Sequence, residues 1–482
     1  MGNIATNAKR VSDYEVVVIG HGMAGLNTGI RAAECGASTV VLEKAPKGRR
    51  GGHTRFSERL RVASTDLDIS AYGYEFEVDD YSKDDFYEDI MDQTDNLADE
   101  ELVKTLVDRT GETVEWMTAI GVEWDTTKLT RHIAPRVAHG GQKLIDTLSA
   151  IAAENGVDIW YDSEARELTR GSDNGIDSAV AITDEGPIAF ECDAVVLASG
   201  DYGSNEEKRT KYIGPGFDEM IVRGSRYNTG EAIDMAIEYG AKPIGQWSNG
   251  HMCVIDTTTP EFDGGVTRVE GYQYGAIVNH EGERFVDEGE GARSYTYAKF
   301  GRRVFEQPHH EAFVIADAKT EEHVFSYGDS EATEADSLKS LARGMNIENV
   351  EQTVETIEAF NAACDPEEFD PEFLDGNATE GIAPPKSNWA IPIDEPPFRG
   401  FPITGGMTFT FGGIEINPKA EVISTQDRPI PGLYAAGVCT GGIWYNNYAG
   451  SSAQTQAAVY GKLAGEQAAA FVAGESETTY DR

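Results

Sequence analysis

An α/β fold interrupted by an inserted α+β domain is what this sequence predicts, and three observations predict it. A Val/Ile run, Tyr14 to Gly20 (YEVVVIG), passes through the glycine-rich GHGMAG turn into helical spacing. Between about 246 and 403 the texture changes to mixed strands, short helices and proline-rich joints such as DPEEFDPEF and APPKSNWAIPIDEPPF. The first texture then returns toward residue 482. The expected organisation is a first domain built from 1–245 and 404–482, with 246–403 inserted in it.

The first elements form a βαβ unit. Strand-like YEVVVIG is continuous in apolar residues, as a strand buried on both faces requires, and a helix over Met23 to Cys35 is stopped by Gly36. Ser38 to Glu43 (STVVLE) reads as a second buried strand. Residues 78–121 carry helical spacing with acids on the polar face, and QKLIDTLSAIAAEN at 142–155 is an amphipathic helix closed by Gly156. AVAIT and IAFE flank the turn Asp184-Glu185-Gly186 as a hairpin, before the apolar strand VVLAS at 195–199. The last segment supplies a strand, GLYAAG, a glycine-rich turn and a long helix from about Ser452 to Ala470.

Composition narrows the function classes. Lys+Arg 40 against Asp+Glu 83 gives a formal charge of −43, which disfavours phosphodiester backbones and anionic lipid surfaces as partners. A uniformly acidic, lysine-poor chain suits concentrated salt, where exposed charges are screened within about 3 Å, so the expectation is a halophile's cytoplasmic protein. Five cysteines (Cys35, Cys192, Cys253, Cys364, Cys439) lie far apart with no C-x-x-C pair, and no metal site is expected. Neither a signal peptide nor a membrane-spanning helix is expected, and MGNIAT matches the short myristoylation pattern only weakly.

Gly20-x-Gly22-x-x-Gly25 lies between a strand and a helix, the context a dinucleotide-binding turn requires. Gly20 permits the tight turn, Gly22 lets backbone approach a pyrophosphate, and Gly25 lets helix and strand pack closely. Glu43, ending the second strand, is placed to accept hydrogen bonds from an adenosine ribose and to repel a 2′-phosphate, which favours FAD or NAD over NADP.

Beyond Glu43 the stretch EKAPKGRRGGHTRFS, then VVLASGDYGSN at 195–205, GERFVDEG at 282–289, and IPGLYAAGVCTGG through GSSAQTQAAVYGKLAG at 430–465 follow one another in an order that resembles the fumarate reductase and succinate dehydrogenase flavoproteins. Within that superfamily RGSRYNTGEAIDMA, GQWSNGHMC, FVDEGEGARSYTYAKFGR, MTFTFGGIEIN and WYNNYAGSS look like the tricarballylate dehydrogenase branch. The resemblance implies a Rossmann-like, glutathione-reductase-type FAD-binding domain and an inserted capping domain that closes over the flavin. The FAD contacts it implies are Gly20, Gly22, Gly25, Glu43, Lys44, Gly51, Gly52, His53, Thr54, Ala165, Ser199, Gly200, Gly437, Ser452 and Ala453. His53 falls where succinate dehydrogenases carry the histidine bonded covalently to flavin, so covalent attachment is one alternative beside a plain polar contact.

The same resemblance places proton transfer at Arg293 and carboxylate binding at His251, with Tyr295 or Tyr297 as base or relay. It also shows two departures: Phe409 stands where fumarate reductases have a second carboxylate-binding histidine, and Tyr448 stands where they have an arginine. Fumarate and succinate are therefore disfavoured, and the expected reaction is dehydrogenation or reduction of a C–C bond beside another carboxylate or a carbonyl. Tyr448-Ala449-Gly450 is also similar to the Tyr-Pro-Gly of 3-ketosteroid 1-dehydrogenases, which keeps a cyclic ketone open as substrate. The expected partners are a small carboxylate or carbonyl substrate and an external electron acceptor, possibilities for which include an iron–sulfur or membrane protein. A third alternative is an electron-transfer flavoprotein subunit of a larger complex.

Overall fold

The computed structural model describes residues 4–57, 59–75, 80–125, 136–171 and 175–475, which fall into two compact units. The opening Met1-Gly2-Asn3 and residues 78 and 79 of the expected helical stretch lie outside the described residues.

The first unit comprises 1–218, 225–250 and 409–482. Its centre is a six-stranded sheet in the order Glu421–Ile423, Pro429–Ala435, Ala194–Leu197, Val16–Ile19, Thr39–Leu42, Asp158–Trp160. The first pair is antiparallel and every other pair is parallel. Val16–Ile19, Thr39–Leu42 and Ala194–Leu197 are buried at every residue, so their unbroken Val/Ile/Leu runs meet the demand of a sheet covered on both faces. The register sets Val17 beside Val40 and Val195, and Leu197 beside Ile19 and Ala435.

The helix Met23–Glu34 crosses the C-terminal helix Ser452–Val472 at short range because small residues line the crossing. A Cβ on Gly461 would stand 2.5 Å from the Ala24 carbonyl oxygen, and one on Gly465 would stand 2.5 Å from that of Thr28. Thr28 Oγ1 donates to the Gly461 carbonyl at 2.9 Å.

The remaining elements follow from local signals. Helix Gly140–Glu154 ends at Asn155, with Gly156 beyond it at φ 79. The hairpin Ile176–Thr183/Gly186–Glu191 turns at Gly186, whose φ of 99 suits glycine, and a second, four-stranded sheet forms around it. The helical spacing before residue 121 resolves into Lys83–Gln93, Glu100–Asp108 and Thr110–Ala119. Ser82 opens the first with a capping box to Asp85, and Asp99 caps the second.

The second unit comprises 219–224 and 251–408. Its edges differ from the expected 245/246 and 403/404 boundaries, and it takes in a short segment from the preceding part of the chain. The physical reason is pairing: Ile221–Val222 lies parallel to Gly406–Met407. The long strand Phe398–Thr410 also pairs antiparallel with Glu311–Ala316, which pairs with Ala276–Asn279. Alternation splits these strands between two cores. Ile277 and Val314 pack with Val254, Phe401 and Ile403, while Val278, Phe313 and Ile315 pack with Leu341, Ile357 and Phe360. Among the described residues no helix is long and apolar enough to cross a membrane.

Candidate active site

In the first unit the glycine turn separates into two roles. Gly20 has φ 112 and its added Cβ would lie 2.4 Å from the Ala198 carbonyl oxygen; on Gly25 it would lie 1.9 Å from the Gly20 carbonyl oxygen. Both positions are glycine because the protein itself leaves no room. At Gly22 an added Cβ would meet Thr54 Oγ1 at 3.6 Å and the Gly51 carbonyl oxygen at 3.8 Å, ordinary contact distances, so the protein itself does not require glycine there. A glycine without a packing reason at a helix N-terminus fits close approach by the pyrophosphate of the expected FAD. Thr54 supports the turn, its Oγ1 accepting from the Met23 amide at 3.1 Å.

Glu43 is buried, and each carboxylate oxygen accepts a backbone amide: Oε2 from His21 at 3.0 Å and Oε1 from Ala45 at 2.7 Å. Burial outweighs those bonds and pushes its pKa up to about 7. The carboxylate thus fixes the turn against the second strand and retains acceptor capacity for a ribose hydroxyl. Lys44 does something sequence reasoning missed: its ammonium lies 3.0 Å from Glu231 and 3.6 Å from Glu164, and it also bonds Thr229. Ala165 is buried in strand Glu164–Arg170, opposite Ala181.

His53 is held at both ring nitrogens. Nδ1 accepts from the Ser225 amide at 3.0 Å, so Nε2 carries the proton and donates to Asp201 Oδ1 at 3.1 Å. Asp201 is fully buried and also accepts from Asn228 Nδ2 at 3.1 Å and from the amides of Gly203 at 3.0 Å and Thr410 at 2.7 Å. Burial opposes its ionisation, but His53 and these donors outweigh burial and hold its pKa below the usual range. With both nitrogens engaged, His53 has no lone pair left for a bond to a flavin carbon. Gly200, at φ 76, lies against the same Asn228, and Gly51 and Gly52 also have positive φ, at 105 and 53.

The C-terminal part contributes a strained turn and a second helix start. Gly437 has φ 78 and Ser451 φ 70; Ser452 opens the last helix, its hydroxyl on the Ala449 carbonyl, with Ala453 in the same first turn. Arg61, fully buried and unforeseen from sequence, clamps this turn through Nε to the Gly450 carbonyl at 2.8 Å and Nη1 to Asp89 at 2.6 Å. Tyr448 sits in an aromatic cluster, edge-on to Phe409 at 5.3 Å and to Trp444 at 5.2 Å.

In the second unit the structure gathers charged side chains around Arg293, the first residue of helix Arg293–Phe305. Its Nη2 donates to Glu270 Oε1 at 2.7 Å and its Nε lies 2.7 Å from Oε2 in the same ion pair, and Arg268 Nε donates to Oε1 at 2.8 Å. Burial disfavours the Glu270 anion, but Arg293 and Arg268 outweigh it and hold its pKa below the ordinary range. The Arg293 guanidinium lies over the Tyr297 ring at 4.4 Å, and Tyr297 meets His251 edge-on at 4.9 Å. His251 Nε2 contacts Cys253 Sγ at 3.0 Å, and Arg223 Nη1 contacts that sulfur at 3.0 Å. Tyr297 is thus the ring between Arg293 and His251; Tyr295 is half-buried in the first helical turn. Glu270, Arg268, Arg223 and Cys253 carry no spacing signal that sequence reasoning could have used.

Residues 15–453 match a family model described as FAD binding domain. The chain is similar to the protein named "Probable fumarate reductase Ifc3" of Shewanella frigidimarina (strain NCIMB 400), at 29% identity over 94% of this chain and 74% of that protein. Among solved structures it is similar to the open conformation of a flavocytochrome c3 fumarate reductase, with TM-score 0.73 and 24% identity over 97% of this chain and 80% of that one. It is also similar to 3-ketosteroid Δ1-dehydrogenase from Sterolibacterium denitrificans, with TM-score 0.75 and 18% identity over 95% of this chain and 100% of that one. Both structural likenesses show the α/β fold of FAD-binding flavoproteins.

Proposed function

Because the chain belongs to the FAD binding domain family, among flavoproteins of the fumarate reductase and succinate dehydrogenase type, we propose that it dehydrogenates, or in reverse saturates, a C–C bond next to a carboxylate, as a tricarballylate dehydrogenase-like enzyme. The chain is an FAD-dependent oxidoreductase acting on CH–CH groups. FAD, when bound, supplies the hydride acceptor or donor at N5. The observation that carries the reading is the Arg293–Glu270 ion pair, joined through Tyr297 to His251.

Gly22 and the amides at its helix start bind the pyrophosphate, and Glu43 takes a ribose hydroxyl. His53, its ring nitrogens committed to Ser225 and Asp201, borders FAD without a covalent bond. Arg293 acts at the proton on the carbon alpha to the activating group. Arginine is a permanent cation in water, so this role requires water to be excluded and a proton-relay partner in contact with the guanidinium, a place the Glu270 carboxylate occupies. His251 hydrogen-bonds the activating carboxylate. Electrons pass to an external acceptor.

A specific observation favours a second reading. Tyr448, Phe409 and Trp444 form a buried aromatic cluster of a kind that suits an apolar cyclic ketone, with the Tyr448 hydroxyl polarising its carbonyl. The acid-rich, lysine-poor composition supports work in concentrated salt, in the cytoplasm.

The test is anaerobic flavin absorbance of the holoprotein, titrated separately with tricarballylate, succinate and a 3-oxosteroid. Bleaching by tricarballylate, with flavin released afterwards by acid precipitation, is the expected result. Bleaching by the steroid alone would transfer the assignment to the ketone reading, and flavin retained in the precipitate would overturn non-covalent binding.

A further inference from the structure

The cluster in the second unit holds more positive charge than its protein partners balance. Arg223, Arg268 and Arg293 converge there, and the carboxylate that meets them is Glu270, which pairs with Arg268 and Arg293. Arg223 is buried and spends its terminal nitrogens on groups other than carboxylates: Cys253 Sγ at 3.0 Å, Thr408 Oγ1 at 2.8 Å and the Gly265 carbonyl at 3.1 Å. Its Nε is buried with no hydrogen-bond partner among the described residues. Contacts run from Arg223 through Cys253, His251 and Tyr297 to Arg293, and burial first, then the charges of Arg268 and Arg293, hold Arg223 below its usual pKa range.

An uncompensated buried guanidinium is expensive, and this chain has 83 acidic residues from which a counter-ion could have been drawn. Among the described residues the hydrogen bonds of Arg223 go to a thiol, a hydroxyl and a carbonyl, not to a carboxylate. That pattern fits a site whose missing anions arrive with the ligand. The first unit, by contrast, presents Phe409 and Tyr448 where enzymes that hold dicarboxylates carry histidine and arginine, so carboxylate recognition has to come from elsewhere in the chain.

We propose that Arg223 and Arg268 form a second carboxylate subsite beside Arg293, and that the substrate is a polycarboxylate whose additional carboxylate is bound there. The proposal rests on the dehydrogenase reading and names its substrate class and two specificity residues. Arg268, partly exposed and sharing Glu270, has room to turn a free edge toward a ligand; Arg223 supplies fixed, buried charge.

The experiment is calorimetric titration of the holoprotein, at one salt concentration, with butyrate, glutarate and tricarballylate. Affinity is expected to rise about tenfold or more from the monocarboxylate to the tricarboxylate, the scale of one charge-assisted hydrogen-bonded pair. Arg268→Gln should weaken tricarballylate about tenfold and shift butyrate less than about twofold; Arg223→Gln should do the same if it folds. Equal affinities for the three acids in the unaltered protein, or equal weakening of all three by Arg268→Gln, would overturn the subsite. Graded binding without flavin bleaching would leave the subsite standing and refute the dehydrogenase reading. Bleaching by a cyclic ketone with no binding of the acids would do the opposite.

Discussion

The cofactor half of this protein, in the first unit, is made chiefly from backbone and from side chains that are missing, whereas the half in the second unit is made from side chains that are charged and crowded. At Gly22 no protein atom forbids a Cβ, so the glycine is left for a ligand to require, whereas at Gly20 and Gly25 the turn closes only without one. Around Arg293 the site instead gathers functional groups from separate segments, at residues 223, 251–253, 268–270 and 293–297. A backbone site tolerates change in what surrounds it but not in its own residues. A side-chain site can be altered one group at a time, with graded loss.

The largest effect that would break this contrast is in the glycine turn. Gly25→Val puts a side chain where even a Cβ would be 1.9 Å from a carbonyl oxygen, so no folded holoprotein is expected. At Gly22 an added Cβ meets protein atoms at 3.6 Å and beyond, so the Gly22→Val apoprotein should keep its circular dichroism and melting temperature while FAD binding falls by about a hundredfold or more. If Gly22→Val lost the fold as Gly25→Val does, that glycine would be part of the packing and not a ligand site.

A smaller effect concerns Glu43. Its pKa is pushed up to about 7 from 4.5, so the folded apoprotein holds the proton more tightly than the unfolded chain. The stability from this group is full below pH 4.5 and is lost as pH rises through about 7. FAD binding carries the opposite sign, because a ribose hydroxyl donates to the ionised form. Affinity for FAD should therefore rise several-fold between pH 5.5 and 8 in an equilibrium titration, by about fivefold, and Glu43→Gln should flatten the curve. A curve unchanged by the substitution would remove Glu43 from the ribose.

What was legible in the sequence divides along the same line. The Val16–Ile19 strand, the glycine turn and the Met23–Glu34 helix were readable because burial on two faces and the steric needs of a turn act on consecutive residues. The hairpin at Gly186 and the helix end at Gly156 were readable for the same local reason. Arg293 and His251 were reached through resemblance, not spacing. The Glu270 bridge was not readable, since Arg268 and Arg293 meet on it from a loop strand and a helix start 23 positions from Glu270 in the latter case. Asp201 was hidden differently: it stood inside a quoted motif, but its four donors come from His53, Gly203, Asn228 and Thr410, and only the fold assembles them. The 219–224 segment joined the second unit through a pairing two residues long, too short to carry a periodic signal.

The central claim is that flavin binding belongs to the first unit's residues and proton transfer to Arg293 in the second. The direct measurement is the rate of anaerobic flavin reduction by a bleaching substrate in the Arg293→Gln holoprotein, with FAD occupancy determined on the same sample. Unaltered occupancy and a rate lower by about a thousandfold are expected, within the range for loss of a proton-transferring group. Loss of FAD, or a rate close to that of the unaltered protein, would contradict it.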